Sequence, residues 1–190
     1  MAAAALEGAR AAGDEAELLY VDDYVERFLR DCRQCRGEDH QCTLDDRFGE
    51  LFLGHYLPAD GVIFATPLYW YGMSGQLKTF FDRTFCYYAA SCPDSESNAA
   101  AMAGKRLGLL VSSEENYPAA PLGIVHSLQE FARYTRCEFV DVVRGIGNQR
   151  GDVDRDPSEP IREARHLGRR LYDGHYSDYR MDTPRAGRVW

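Results

Sequence analysis

Residues 61–83 read GVIFATPLYWYGMSGQLKTFFDR, and the fold turns on them. Val62-Ile63-Phe64-Ala65 is a short, nearly all-apolar run, the pattern of a strand buried on both faces. Thr66-Pro67 breaks it into an aromatic turn, Leu68-Tyr69-Trp70-Tyr71-Gly72. From Gly75 the spacing changes to a helical one, with Leu77, Phe80, Phe81 and Phe85 expected on one side. Strand, turn and helix make half of a parallel unit. Open α/β sheets bind ligands where their strands end, so this turn is the first candidate site.

The rest of the chain follows the same alternation. Residues 2–12 are Ala-rich and stop at Gly13, a helix with a glycine cap. Residues 17–21 (ELLYV) read as a strand. Thr43-Leu44-Asp45-Asp46 reads as a capping box with Thr43 as N-cap, opening a helix that buries Phe48, Leu51, Phe52 and Tyr56. Residues 89–104 are small and polar and read as a long surface loop. KRLGLLV (105–111) reads as a strand that ends in the loop 112–120. Leu122, Val125, Leu128 and Phe131 mark a helix, residues 138–143 a strand, and 144–156 a glycine-rich loop. Residues 158–172 read as a helix with Pro160 in its first turn. Alternating helices and strands imply an α/β fold, a parallel sheet with helices on both faces.

The chain has 190 residues, 45% of them hydrophobic, with 12 Tyr, 9 Phe and 2 Trp, enough for one sizeable core. A net charge of −8, from 30 acidic and 22 basic residues, argues against nucleic acid as a partner. No apolar run reaches the roughly 20 residues that span a bilayer, so no membrane partner is expected. No basic n-region precedes an apolar stretch, so the expected location is cytoplasmic.

Four groups of residues invite chemistry. In the turn, Pro67 fixes the strand exit, and the amides from Leu68 to Gly72 are expected to be free to face a planar ligand edge. Tyr69, Trp70 and Tyr71 offer flat apolar surface, and Gly72 allows close approach. A flavin ring needs that combination; the alternative is that the rings cap the sheet or fill a subunit interface. Cys32, Cys35 and Cys42, with His40, could supply four zinc ligands, but the spacing is compressed, and no metal site is assigned. Free thiols, or a redox dithiol at Cys32 and Cys35, are the other readings. Lys78, Asp82 and Arg83 read as a solvated helix face, with Arg83 a candidate loop anchor, and His126 as a packing residue. Arg144 and Arg150 carry charge that dinucleotide phosphates could meet.

Thr66-Pro67-Leu68-Tyr69-Trp70, with Leu77-Lys78-Thr79-Phe80-Phe81-Asp82-Arg83, resembles the signature of the flavodoxin-like NAD(P)H-dependent FMN reductases. That signature is a strand ending S/T-P-x-Y-W/F, then a helix reading L-K-x-F-x-D-R. Cys32-x-x-Cys35, Cys42 before Asp45-Asp46, Gly104-Lys105 and Gly151-Asp152-Val153 extend the resemblance to about Tyr172. It implies a three-layer sandwich of strand order 2-1-3-4-5, FMN at the strand ends and NAD(P)H as co-substrate. Thr66, Pro67, Leu68, Tyr69, Trp70, Tyr71 and Gly72 would hold one side of the isoalloxazine, and Ser112, Ser113 and Glu114 the other. The cofactor does the hard step, so no acid–base side chain is nominated. The acceptor would be a quinone, flavin, azo or nitro compound, and the protein a homodimer.

One departure stands out. The family's first strand and its phosphate-binding loop have no counterpart here, which leaves four strands expected. Either the true start lies upstream of Met1, the reading favoured, or the chain is a non-catalytic remnant. A flavodoxin-like electron carrier is the further alternative. The expected organisation is a flavodoxin-like unit over residues 1–172 and a tail or arm over 173–190, whose Tyr176, Tyr179 and Trp190 suit a subunit contact.

Overall fold

The computed structural model describes residues 1–31, 34 and 36–173. Three strands form its sheet: β1 (Gly61–Pro67), β2 (Arg106–Ser113) and β3 (Glu138–Ile146). They are parallel and lie in the order β1-β2-β3. Register runs from Gly61 opposite Arg106 to Pro67 opposite Ser112, and Ser112 lies opposite Gly145.

Helices cover both faces. On one, α1 (Ala2–Ala12) and α5 (Pro160–Arg169) bury Ala4, Ala5, Ala164 and Leu167 against Leu110, Val140 and Val143. α1 ends at Gly13, which adopts the expected left-handed conformation (φ 97°). Gly8 and Gly168 let the two backbones touch: a Cβ on Gly8 would lie 2.0 Å from Arg165 O, and one on Gly168 2.0 Å from Ala5 O. On the other face lie α2 (Gly75–Tyr88), α4 (Leu122–Thr135) and a wide-turn helix over Glu50–Tyr56. Their Phe48, Phe52, Tyr56, Leu77, Phe80, Ile124 and Leu128 pack on Phe64, Leu107, Leu109 and Val111. Leu107, Leu109 and Val111 face one layer and Leu110 the other, as the two-residue period of a strand requires.

Several expectations are corrected. Residues 17–20 form no strand, so among the described residues three strands stand where four were expected. In the order 2-1-3-4-5 that segment would pair only with the first strand, and among the described residues nothing pairs with β1's outer edge. An unpartnered strand has no ladder to join, and Leu18 and Tyr20 stay exposed. Within residues 89–104 lies α3 (Ser95–Met102), which buries Met102 and Asn98. Asp46 rather than Thr43 caps the helix after it: its carboxylate accepts the Phe48 amide at 3.2 Å. Phe85 and His126 are exposed, so neither packs in the core.

Arg83 does not lie on a solvated face. Its side chain is 1% exposed and pairs with Asp46, while Nη1 donates to Arg27 O at 3.2 Å. The guanidinium sits 4.3 Å above the Phe48 ring. Lys78 and Asp82 do form an exposed pair. Buried Lys105 donates to Leu57 O at 3.3 Å and to Ala59 O, tying the end of the wide-turn helix to the start of β2. No described helix is long and apolar enough to cross a membrane.

Candidate functional site

β1 and β2 deliver Pro67 and Ser112 side by side at one edge of the sheet. Thr66 is buried; its hydroxyl donates to Pro67 O and accepts the Ser74 amide, both at 2.9 Å. Ser74 in turn caps α2 by accepting the Leu77 amide at 3.3 Å. Thr66 and Ser74 therefore close the loop that carries the aromatic turn.

The Leu68 amide donates to Ser112 O at 2.8 Å, and Tyr69 and Gly72 exchange two backbone hydrogen bonds of 2.9 Å. Between them Trp70 (φ 49°) and Tyr71 (φ 60°) both adopt the left-handed conformation. This is a two-residue reverse turn of the type that prefers Asn and Gly, because an L side chain there costs roughly 1–2 kcal/mol per residue. The rings stand in solvent, Trp70 97%, Tyr69 62% and Tyr71 50% exposed. The expectation of free amides from Leu68 to Gly72 narrows accordingly. Those of Leu68, Tyr69 and Gly72 are bonded, and only the tip amides of Trp70 and Tyr71 lack a partner among the described residues.

The facing segment is equally built. Ser113 is buried, donates to Glu115 O at 3.0 Å and accepts from Arg144 Nε and Nη2 at 3.2 Å. Arg144 also donates to Tyr117 O at 2.8 Å and to Glu115 O. That guanidinium shapes the loop after β2, and Arg150 is exposed. Ser112 is half-buried and Glu114 exposed. The Tyr71 and Tyr117 ring centroids lie 6.3 Å apart, and the neighbouring Tyr71 side chain raises the pKa of Tyr117. The structure thus brings both predicted segments together.

α1 also starts at this edge. A Cβ on Gly145 would lie 3.0 Å from Met1 Sδ. Met1 makes no side-chain cap and the first turn holds no acidic residue, so the positive end of the helix is unneutralised there.

Cysteines form a second cluster. Arg36 and Cys42 bridge a small antiparallel hairpin, and Arg36 Nη2 donates to Cys86 O at 3.1 Å. The neighbouring Cys86 side chain lowers the pKa of Cys42 to about 5, helped by the Leu44 amide and Arg83 and opposed by burial. Cys32 and Cys35 lie outside the described residues. Among those described, no three His, Cys, Asp or Glu side chains are grouped to hold a metal ion.

Comparison with known proteins follows the same outline. The Flavodoxin_2 family model, described as a flavodoxin-like fold, matches residues 1–167. YwqN of Bacillus subtilis (strain 168), provisionally named an NAD(P)H-dependent FMN-containing oxidoreductase, is 29% identical over 145 residues, 76% of this chain and 77% of its own. An iron-sulfur flavoprotein of Methanosarcina thermophila is 35% identical over 81 residues, 43% of this chain and 41% of its own. A solved Bacillus subtilis structure, a Trp repressor binding protein, superimposes with a TM-score of 0.54 at 26% identity, covering 67% of this chain and 78% of that one. Sheet order, two-sided helices and a match over most of the sequence agree: this chain belongs to the Flavodoxin_2 family of flavodoxin-like proteins.

Proposed function

We propose that the protein is an FMN-dependent NAD(P)H oxidoreductase. Bound FMN supplies the relay of hydride from NAD(P)H to a small acceptor, a quinone, free flavin, azo or nitro compound. The observation that carries this reading is the turn 66–72, its tip residues Trp70 and Tyr71 held in left-handed backbone with their rings exposed, beside the end of β2. Backbone strain of this kind concentrates at ligand clamps.

The chain's own residues divide the work. Tyr69, Trp70 and Tyr71 offer a surface that stacks on a planar ring and sheds water, and the tip amides of Trp70 and Tyr71 donate to its polar edge. Pro67, Leu68 and Gly72 set the turn's position. Ser112 and Glu114 border the opposite side, while Thr66 and Ser113, buried and bonded internally, position the two walls. The N-terminal turn of α1 suits an anionic phosphate. The donor set fits a flavin mononucleotide in its ring half more fully than in its phosphate half. No side chain is assigned a proton-transfer role.

Residues 1–172 act as one FMN-binding unit in this reading, and 173–190 as an arm; residues 174–190 lie outside the described part. A cytoplasmic homodimer suits the family's chemistry. The test is anaerobic titration of FMN-loaded protein with NADPH and NADH. Loss of the flavin's visible absorbance, restored by a quinone, supports the reading. A protein that binds FMN but is reduced only by a redox protein would be a carrier, and one that binds no FMN would sink both.

A further inference from the structure

Given the FMN-dependent reading above, on which this rests, we propose that Arg144 is a positioning residue for the site. It folds the loop after β2 so that Tyr117 meets Tyr71, and the two rings together form one wall against the flavin. Residues 114–121 carry no helix or strand, and Glu114, Asn116 and Tyr117 are exposed. The carbonyls of such a loop have no ladder to satisfy them. Here two of them converge on one side chain. Arg144 donates to Tyr117 O at 2.8 Å, to Glu115 O, and from Nε and Nη2 to Ser113 Oγ at 3.2 Å. A guanidinium holds its donors in a fixed planar fork, so acceptors on residues 113, 115 and 117 are fixed relative to one another. Arg144 itself is seated in β3, opposite Val111 of β2.

What this clasp places is the ring of Tyr117. Its plane is tilted 43° to that of Tyr71, and both rings are half exposed. The loop is tied down by its backbone, yet it presents the ring to solvent instead of burying it. Aromatic surface of that kind stacks on planar ligands. Tyr71 is confined from another side as well: a Cβ on Gly123, in the first turn of α4, would lie 3.0 Å from Tyr71 O. Two ring contacts of about 3.5 Å each require about 7 Å. The two centroids are 6.3 Å apart, so the pair acts as one surface and not as a slot.

The test titrates FMN into the full chain, stripped of bound flavin, by calorimetry, and follows amide exchange of residues 114–121 in parallel. Arg144→Gln should weaken FMN binding about threefold to tenfold, as loss of one ring contact does, and should speed exchange in the loop. Tyr117→Ala should weaken binding equally, while Tyr117→Phe, which keeps the ring, should not. The double variant Arg144→Gln/Tyr117→Ala should bind no worse than either alone, because Arg144 acts through Tyr117. Arg106→Gln is the control. At the far end of β2 Arg106 donates to Leu171 O and pairs with Glu138, each at 2.7 Å, so its loss should lower the melting temperature and leave FMN affinity unchanged. Losses that add in the double variant, or equal affinities of the Tyr117→Ala and Tyr117→Phe proteins, would overturn the proposal, the second even where Arg144→Gln fails to fold. Absence of FMN binding by the unaltered protein would instead sink the reading beneath it.

Discussion

Arg83 of α2 and Asp46 form an ion pair sealed from solvent, their side chains 1% and 0% exposed. Asp46 also accepts the amides of Glu26 and Arg27, each at 3.0 Å, so one carboxylate joins α2, the wide-turn helix and the segment before it. Arg83→Met should destabilise the protein by about 3–5 kcal/mol, because it strands a buried charge. Urea unfolding reads this directly.

The same pair sets an acid limb. Burial pushes the Asp46 carboxyl up, but Arg83 and the amides of Phe48, Glu26 and Arg27 outweigh it and hold its pKa below the ordinary value. A folded pKa below the unfolded value of about 3.9 adds stability above that pH, and the gain fades as pH falls through the folded value. Asp46→Asn should therefore flatten stability against pH below about 4 relative to the unaltered protein. A parallel acid limb in both would refute this.

Replacing Trp70-Tyr71 with Asn-Gly should raise thermal stability and weaken FMN binding together. The left-handed cost of roughly 1–2 kcal/mol per residue is relieved, while the stacking rings disappear. Melting temperature and flavin-fluorescence titration measure the two effects. Unchanged FMN affinity would remove this turn from the site.

Gly168→Ala should cost at least the roughly 1–3 kcal/mol of an overpacked core, because its Cβ meets backbone that cannot swing aside. Gly75→Ala is the control: nothing lies within 4 Å of its Cβ, and an exposed helical Gly→Ala change gains roughly 0.5–1 kcal/mol. Denaturation midpoints of the two variants should move in opposite directions.

Alkylation of Cys42 should already be at its plateau at neutral pH and fall as pH drops through about 5. An ordinary thiol near 8.5 would still be gaining rate at neutral pH. Rate against pH, followed at the Cys42 peptide, separates the two.

Local pattern carried most of the fold. Gly13 and Pro160 mark helix ends through their own backbone chemistry, and β2's apolar run needs no distant partner to be recognised. What sequence pattern missed depends on residues far apart in the chain. Residues 17–21 have strand composition but no strand beside them. Arg83 sits beside Asp82 on a polar-looking helix, yet its partner lies 37 residues earlier. Residues 95–102 lack an apolar stripe, so the helix there is held by Met102 packing in the core and by Asn98 donating to Tyr87 O at 2.9 Å. In the site, the turn's position was legible but not its conformation, because Trp-Tyr carries none of the Asn-Gly signal. Arg36 reaches the Cys86 carbonyl, 50 residues on, only because the hairpin it shares with Cys42 folds onto α2.

The open outer edge of β1 has a consequence for exchange of its amides with solvent. β2 lies between two strands, so its amide hydrogens should be the slowest to exchange. Among the described residues β1 and β3 each share bonds on one side, so alternate amides along both should exchange quickly. The candidate turn is thus mounted on an edge strand of the sheet rather than on its protected centre. A ligand gripping the turn 66–72 must slow exchange along β1 as it binds, and its affinity includes the cost of stilling that strand.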